Sequence, residues 1–467
     1  MKDHDAQQKY SRRKFLSTLG TASAALLTAP YLKSTNIFAY GSANSTNYLA
    51  QVAVTQAVSY DRALIKAKVQ HLFESIGGIR DVVKFGNKVA IKINLTGGSG
   101  SAYSALLGGK PITESMWTHP EVLRAVCELI IDCGVSGNNI YIVEALWDAE
   151  SFNNFGYQDV QTSLGAQMVD LNSPAPYSNF IDKAVGPNQS YYSSFKVNQI
   201  LSDVDVFVSI AKMKQHSEAG VTGAIKNQIG MVPKQLYVTS EKSRRDALHT
   251  KDGTVSSTTH LPISICDLCL ARPIHLSIID GIKNARGGEG VWNPAFCVAE
   301  DNVLLAGKNP VATDSVMAYL MGNNPDAAKL QLPSGGQCDN YLQLLNQKGI
   351  GPNRLSDIEI VGDGAGLVTS VDSKYSVKIP NDFELYQNYP NPFNPSTTFR
   401  FHLPSVEFVT INIFNIIGEK IETLIEEEVP QGIHELHWMP KGISSGVYFC
   451  EIRAGKFSDR MKMIYQK

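Results

Sequence analysis

The segment Asn388-Tyr389-Pro390-Asn391-Pro392-Phe393-Asn394-Pro395 divides this 467-residue chain. Its prolines remove backbone donors and push their predecessors out of the helical region, so the segment cannot be helix. It reads as an extended lead-in to a strongly β-like region. Phe408 to Ile417 alternates and is rich in β-branched and aromatic residues, and Gly418 breaks it. Gly432 to Trp438 and Gly446 to Ile452 read as further strands bounded by turn residues. The expectation is a small all-β, immunoglobulin-like sandwich over residues 383–467, reached through a linker at 366–382.

The N-terminus is a different kind of segment. Ser11-Arg12-Arg13-Lys14-Phe15-Leu16 precedes a small and apolar run from Ser17 to Ala29, diluted by Ser17, Thr18, Gly20, Thr21 and Ser23. The run is too short and too polar to be a permanent transmembrane helix. The pattern resembles a twin-arginine export signal. That resemblance implies a signal peptide over residues 1–39, cleavage after Ala39 or Ala43, and passage of a folded protein through the Tat translocase. The plainer reading is a basic amphipathic helix. At the other end, Ile417-Gly418-Glu419-Lys420, Gly432-Ile433-His434 and Ser445-Gly446-Val447-Tyr448 resemble the pieces of a type IX secretion system C-terminal sorting domain. An ordinary immunoglobulin-like binding module is the alternative. The two resemblances together imply export through the periplasm to the cell surface or beyond, with the type IX machinery as a partner.

Composition narrows the function. Without residues 1–39 the chain loses six Lys/Arg and two Asp/Glu, which takes the net charge from −2 to about −6. That balance argues against a general nucleic-acid binder. No apolar run approaches the length of a transmembrane helix. The seven cysteines are odd in number and irregularly spaced, so this is no disulfide-built scaffold. Cys266 and Cys269 lie in an apolar, helix-like stretch where cysteine acts as a small buried hydrophobe. A redox pair there is the competing reading.

Between the two ends, residues 48–365 alternate short apolar strands with helices. Lys88 to Leu95, Tyr141 to Val143, Val204 to Ile210, His275 to Ile279, Val303 to Ala306 and Ile358 to Val361 read as strands. Pro120 to Cys133, Leu261 to Leu270 and Ala312 to Met321 read as helices, the first with Thr118 as its N-cap and Gly134 at its end. Such alternation predicts an α/β core with a mainly parallel sheet.

Chemistry-bearing residues come just after these strands, where open α/β sheets usually bind ligands. Lys92 and Asn94 end the first strand. His119 opens the helix beyond a glycine-rich loop. Lys212, Lys214 and His216 come after the strand through Ile210, with Lys226 and Asn227 soon beyond. Asp280 ends the strand Leu276 to Ile279, and Asp314 lies near the start of the last helix. Lysines and helix N-termini bind carboxylate or phosphate, and histidine beside an acid moves protons or ligates metal. Each also has a plainer role. Lys92 could be the exposed side of its strand, Thr118 and Asp314 could be helix caps, and His119 could be a hydrogen-bonded first-turn residue. The glycine-rich stretches Gly287 to Gly290 and Gly362 to Gly366 lack the setting of a nucleotide fingerprint.

Lys92-Ile93-Asn94, Thr118-His119-Pro120-Glu121-Val122, Asp205 through His216, Gly220 through Asn227, Ile279-Asp280-Gly281 and Asn309 through Asp314 resemble the successive motifs of the DUF362 family, in order. The resemblance implies an α/β fold with recurrent Lys, His and Asp positions. It supplies no reaction, and the iron–sulfur segments of some members have no cysteine cluster to match here. Three functions compete. One is an exported enzyme acting on an anionic (carboxylate or phosphate) small molecule, with His216, Asp280 and Lys212 catalytic and Lys92, Asn94, His119, Lys214, Lys226 and Asn227 binding. The second is a cell-surface binding protein that uses the same site without catalysis. The third is a redox protein using Cys266 and Cys269. Metal and cofactor stay unassigned.

Overall fold

The computed structural model describes residues 49–98, 106–107, 110–238, 246–250, 254–368, 383–389, 391–403, 406–429 and 432–466. The expected signal at 1–39 and most of the expected linker at 366–382 lie outside these residues.

The core is a large mixed sheet, mostly parallel, with helices. Its main strands are β1 (Ala50–Gln56), β2 (Val89–Lys92), β3 (Ile140–Glu144), β4 (Gln167–Asp170), β5 (Val206–His216), β6 (Leu276–Arg286), β7 (Val303–Gly307) and β8 (Ile358–Val361). The spatial order is β8-β1-β7-β6-β5-β2-β3-β4. β6, β5, β2, β3 and β4 run parallel, as do β1 and β8, and β7 enters antiparallel between the two groups.

Strand alternation sorts side chains between two faces. Ala53, Ile91, Val208, Ile210, Ile278 and Ala306 pack with helices α1 (Arg62–Ser75) and α2 (Pro120–Ile131) through Ile65, Val69, Leu72, Val122, Val126 and Ile130. The other face carries α3 (Ser257–Ala271) and α4 (Pro310–Leu320). α4 is buried from Pro310 to Tyr319, which explains why its apolar residues show no single stripe.

Two local expectations are corrected. The N-cap of α2 is His119, whose Nδ1 accepts from the Glu121 N–H at 3.2 Å. Thr118 instead ties β5 to the segment just past the end of β2. Its hydroxyl donates to the Ile210 carbonyl at 2.8 Å and accepts from the Asn94 N–H at 3.0 Å. Asp314 caps no helix start either, because Asn309 caps α4. Asp314 lies inside that helix and accepts from the Ala224 and Ile225 N–H groups at 2.7 and 2.9 Å. It thereby pins the segment that leads into the short 3₁₀ helix Lys226–Met231.

The C-terminal region is all antiparallel β. Among the described residues, Glu384–Tyr389, Thr397–Leu403 and Gly432–Trp438 form one sheet. Lys420–Val429, Glu407–Asn415, Gly446–Ala454 and Phe457–Tyr465 form the other. Alternate residues of both sheets, among them Phe399, Phe401, Ile411, Ile413, Cys450 and Ile452, make one core. The proline-rich lead-in contributes Phe393, which is buried in that core. No helix among the described residues is long and apolar enough to cross a membrane.

Candidate functional site

The site grows from the carboxyl ends of β2 and β3. Lys92 is the last residue of β2 and Glu144 the last of β3. Both are buried, and the Lys92 ammonium donates to Glu144 Oε2 and the Ile93 carbonyl at 2.7 Å each. It also donates to Asn227 Oδ1 at 3.1 Å. Asn227 returns bonds from Nδ2 to the Lys92 carbonyl and to Ser209 Oγ. Asn94 Nδ2 donates to the same Asn227 Oδ1 at 3.0 Å, while Asn94 Oδ1 is buried without a hydrogen-bond partner. Charge, counter-charge and amides thus form one network across three strands and the 3₁₀ helix.

Gly230 makes that network possible. A Cβ there would overlap Glu144 Oε1 and lie 2.7 Å from the Lys92 ammonium. Gly230→Ala is therefore expected to lower stability by about 1–3 kcal/mol, the usual cost of overpacking. Urea unfolding of the full-length protein measures it, and an unchanged midpoint and slope would contradict the close approach.

Above the network opens a cavity of about 380 Å³. Lys92, Asn94, His216, Lys226 and Asn227 line it, together with Glu144, Glu218, Glu289, His249, Trp147 and Trp292. Its volume falls within the range of small-molecule sites. Among the described residues the Lys226 ammonium has no hydrogen bond or ion pair, although the residue is only 8% exposed. Burial pulls its pKa down to about 8, opposed by Glu289 and Glu218. His216 Nδ1 accepts from the Glu218 N–H at 3.0 Å, so the neutral ring carries its proton on Nε2. Burial and then the Lys226 charge push His216 well below the ordinary imidazole value. Burial alone would raise the Glu289 carboxyl. The Ser217 N–H and the Trp292 indole N–H donate to it and favour the ionised carboxylate.

Four expected site residues do not line this cavity: Lys212, Asp280, His119 and Lys214. The Lys-x-Lys-x-His stretch is no loop, because β5 continues through it to His216 and β6 likewise runs on past Asp280. Lys92 and Ser209 are register partners that both reach Asn227. Lys212 lies three positions past Ser209, so alternation points it to the opposite face. There its ammonium donates to Asp280 Oδ2 at 2.6 Å and to the Tyr60 hydroxyl at 2.8 Å. The Tyr60 hydroxyl donates to Asp280 Oδ1, and the His119 N–H donates to Asp280 Oδ2. The His119 ring stacks on Tyr60 with centroids 3.7 Å apart. Burial, then Lys212 and Lys283, drive its pKa down to about 3. Lys214 donates to Thr96 Oγ1 and the Met116 carbonyl, and so stands behind Thr96, which lines the cavity.

Sequence reasoning misses Glu144, Glu289, Trp147 and Trp292. Glu144 has a readable signal, since it ends a strand as Lys92 does. Glu289 sits in the Gly287 to Gly290 stretch, which reads in sequence only as an incomplete nucleotide motif. The two tryptophans are isolated in sequence and carry no signal. Among the described residues no group of three or more His, Cys, Asp or Glu is arranged to hold a metal ion. Cys266 and Cys269 are buried free thiols within α3. Burial pushes Cys266 well above its ordinary value and Cys269 up to about 12. Redox chemistry needs an accessible thiolate, which this setting disfavours.

Comparison with known proteins gives two family matches. A family described as a domain of unknown function, DUF362, matches residues 89–319, and a secretion system C-terminal sorting domain matches residues 387–466. The chain is 24% identical over 301 residues to a thylakoid-associated protein, sll1697, of Synechocystis sp., covering 60% of this chain and 83% of that protein. Among solved structures, 20% of the chain aligns with 12% of PorZ at 20% identity and a TM-score of 0.15. PorZ is described as an essential bacterial surface component of the type IX secretion system of Porphyromonas gingivalis. An engineered protein aligns over 86% of this chain and 80% of its own at 11% identity, with a TM-score of 0.16.

Proposed function

Because this chain belongs to the DUF362 family and carries a type IX secretion sorting domain, we propose that its core is an exported binding site for an anionic small molecule. The sorting domain marks the protein for the cell surface or the extracellular space. The Ser11 to Leu16 motif supports a first step through the Tat translocase, with residues 48–365 as the folded cargo core.

One observation carries the ligand reading. The Lys226 ammonium is buried at the cavity wall without a protein hydrogen bond or ion pair among the described residues. A buried ammonium is costly unless paired or hydrogen-bonded, and a carboxylate or phosphate supplies both. Lys92 is a weaker candidate because Glu144 already neutralises it. Catalysis has a separate observation in its favour. His216 is held neutral beside Glu289 with Nδ1 engaged, which leaves its Nε2–H as a fixed donor that can polarise a carbonyl or carboxylate of a bound molecule.

Titration calorimetry of the full-length protein with inorganic phosphate and with succinate, at pH 7, tests the reading. Lys226→Gln is expected to weaken the tighter of the two by about tenfold or more, the scale of a lost charge-assisted hydrogen bond. Lys308→Gln, which removes an exposed ion pair with Asp81, serves as the control and should change nothing. Binding that is absent, or indifferent to Lys226, would remove this function.

A further inference from the structure

The ligand's class can be narrowed beyond its charge, on the premise that Lys226 takes an anionic group. Three features of the cavity wall have different chemical demands. Lys226 offers donors and positive charge. Asn94 Oδ1 is a buried acceptor with no partner, so it asks for a donor. A carboxylate cannot meet that demand, because it brings only acceptors to the site, and inorganic phosphate meets it only through the proton it keeps near neutral pH. A hydroxyl on the same molecule does meet it. Glu289 strengthens the bias, since it is held ionised and presents only acceptors.

The third feature is aromatic. Trp292 is 49% exposed, an unusual cost for a residue with so large an apolar surface. It is nevertheless fixed in orientation. Its indole N–H donates to Glu289 Oε1 at 3.0 Å, and its ring lies so close to Gly97 that a Cβ there would overlap it. Trp147 lines the same cavity, with the Lys234 ammonium 4.9 Å from its ring centroid. A flat indole, held still and left partly open beside a polar cavity, is a stacking surface. Its negative π face attracts weakly positive C–H groups.

We infer that the cavity takes a hydroxylated ring bearing a carboxylate, the chemistry of a uronic acid. The carboxylate sits on Lys226, a ring hydroxyl donates to Asn94, and the C–H face of the ring packs on Trp292. A benzoate-like acid would satisfy Lys226 and the indole but leave Asn94 without a donor. A neutral sugar would satisfy Asn94 and the indole but leave Lys226 unpaired.

Calorimetry of the full-length protein with glucuronate, glucose, cyclohexanecarboxylate and inorganic phosphate separates these demands. Glucuronate is expected to bind about tenfold tighter than glucose or cyclohexanecarboxylate, the factor expected from one extra satisfied polar group. Trp292→Ala is expected to weaken glucuronate about five- to tenfold and to leave phosphate within about twofold. Trp292→Phe should recover part of the loss. If phosphate binds through Lys226 but glucuronate gains nothing over the other two ring compounds, the ring assignment is overturned and the anion site stands. If Trp292→Ala weakens phosphate as much as glucuronate, the stacking role is overturned. If no probe binds in a Lys226-dependent way, both the inference and the anion reading fall.

Discussion

Lys212→Met is expected to destabilise the core by about 3–5 kcal/mol, the usual result of breaking a buried ion pair from one side. Anion affinity in the cavity should stay within about threefold, since distant sites couple weakly. The sequence reading, by contrast, gives Lys212 a catalytic role in the anion site. Lys212 and Asp280 are both fully buried, and their charges are 2.6 Å apart. Removing the ammonium leaves a carboxylate that still accepts from the Tyr60 hydroxyl and the His119 N–H but has lost its counter-charge. Lys212→Met with Asp280→Leu removes both charges and should recover part of the loss. Urea unfolding of the full-length protein reads the stability, and phosphate titration reads the site. A variant that keeps its stability but loses tenfold or more in anion affinity would return Lys212 to the binding site.

The second large effect concerns pH. With Lys226 pulled down to about 8, the free site carries its positive charge below that pH and loses it above. Anion affinity should be flat from pH 6 to 7 and then fall about tenfold per pH unit once past 8, because binding must take up one proton. Lys226→Gln should flatten the profile at its weak level. Stability should move the other way. The unfolded lysine titrates near 10.5 and the folded one near 8, so the unfolded state holds more protons between those values. Stability from this residue therefore rises with pH across that window, and the buried ammonium is a burden below it. Lys226→Met should accordingly raise stability at pH 7 while destroying the anion site, a trade expected of a functional buried charge. An affinity that stays constant to pH 9.5 would show that Lys226 does not hold the anion.

Local patterns carried much of the architecture. Pro120 and Asn309 sit where helices begin, and Gly418 sits where a strand ends, because caps and breakers act within a few residues. Strand ends were less legible. β5 and β6 run well past Ile210 and Ile279, because lysines and an aspartate there looked like loop residues. Paired against each other inside the sheet, Lys212 and Asp280 can be strand residues without exposure.

By itself the sequence determined the α/β order of the core, the all-β tail and its export address, and the placing of Lys92, Asn94, Lys226 and Asn227 near strand ends. These depend on periodicity, proline chemistry and short motifs, which are local. Only the tertiary structure decided which charges share a space. One pleat of difference sends Ser209 toward Asn227 and Lys212 toward Tyr60 on the other face. Lys92 meets Glu144, 52 residues on, and Asn227, 135 residues on, through strand register that no local pattern encodes. Partner choice in a sheet is a long-range property, so the composition of the cavity had to wait for the fold.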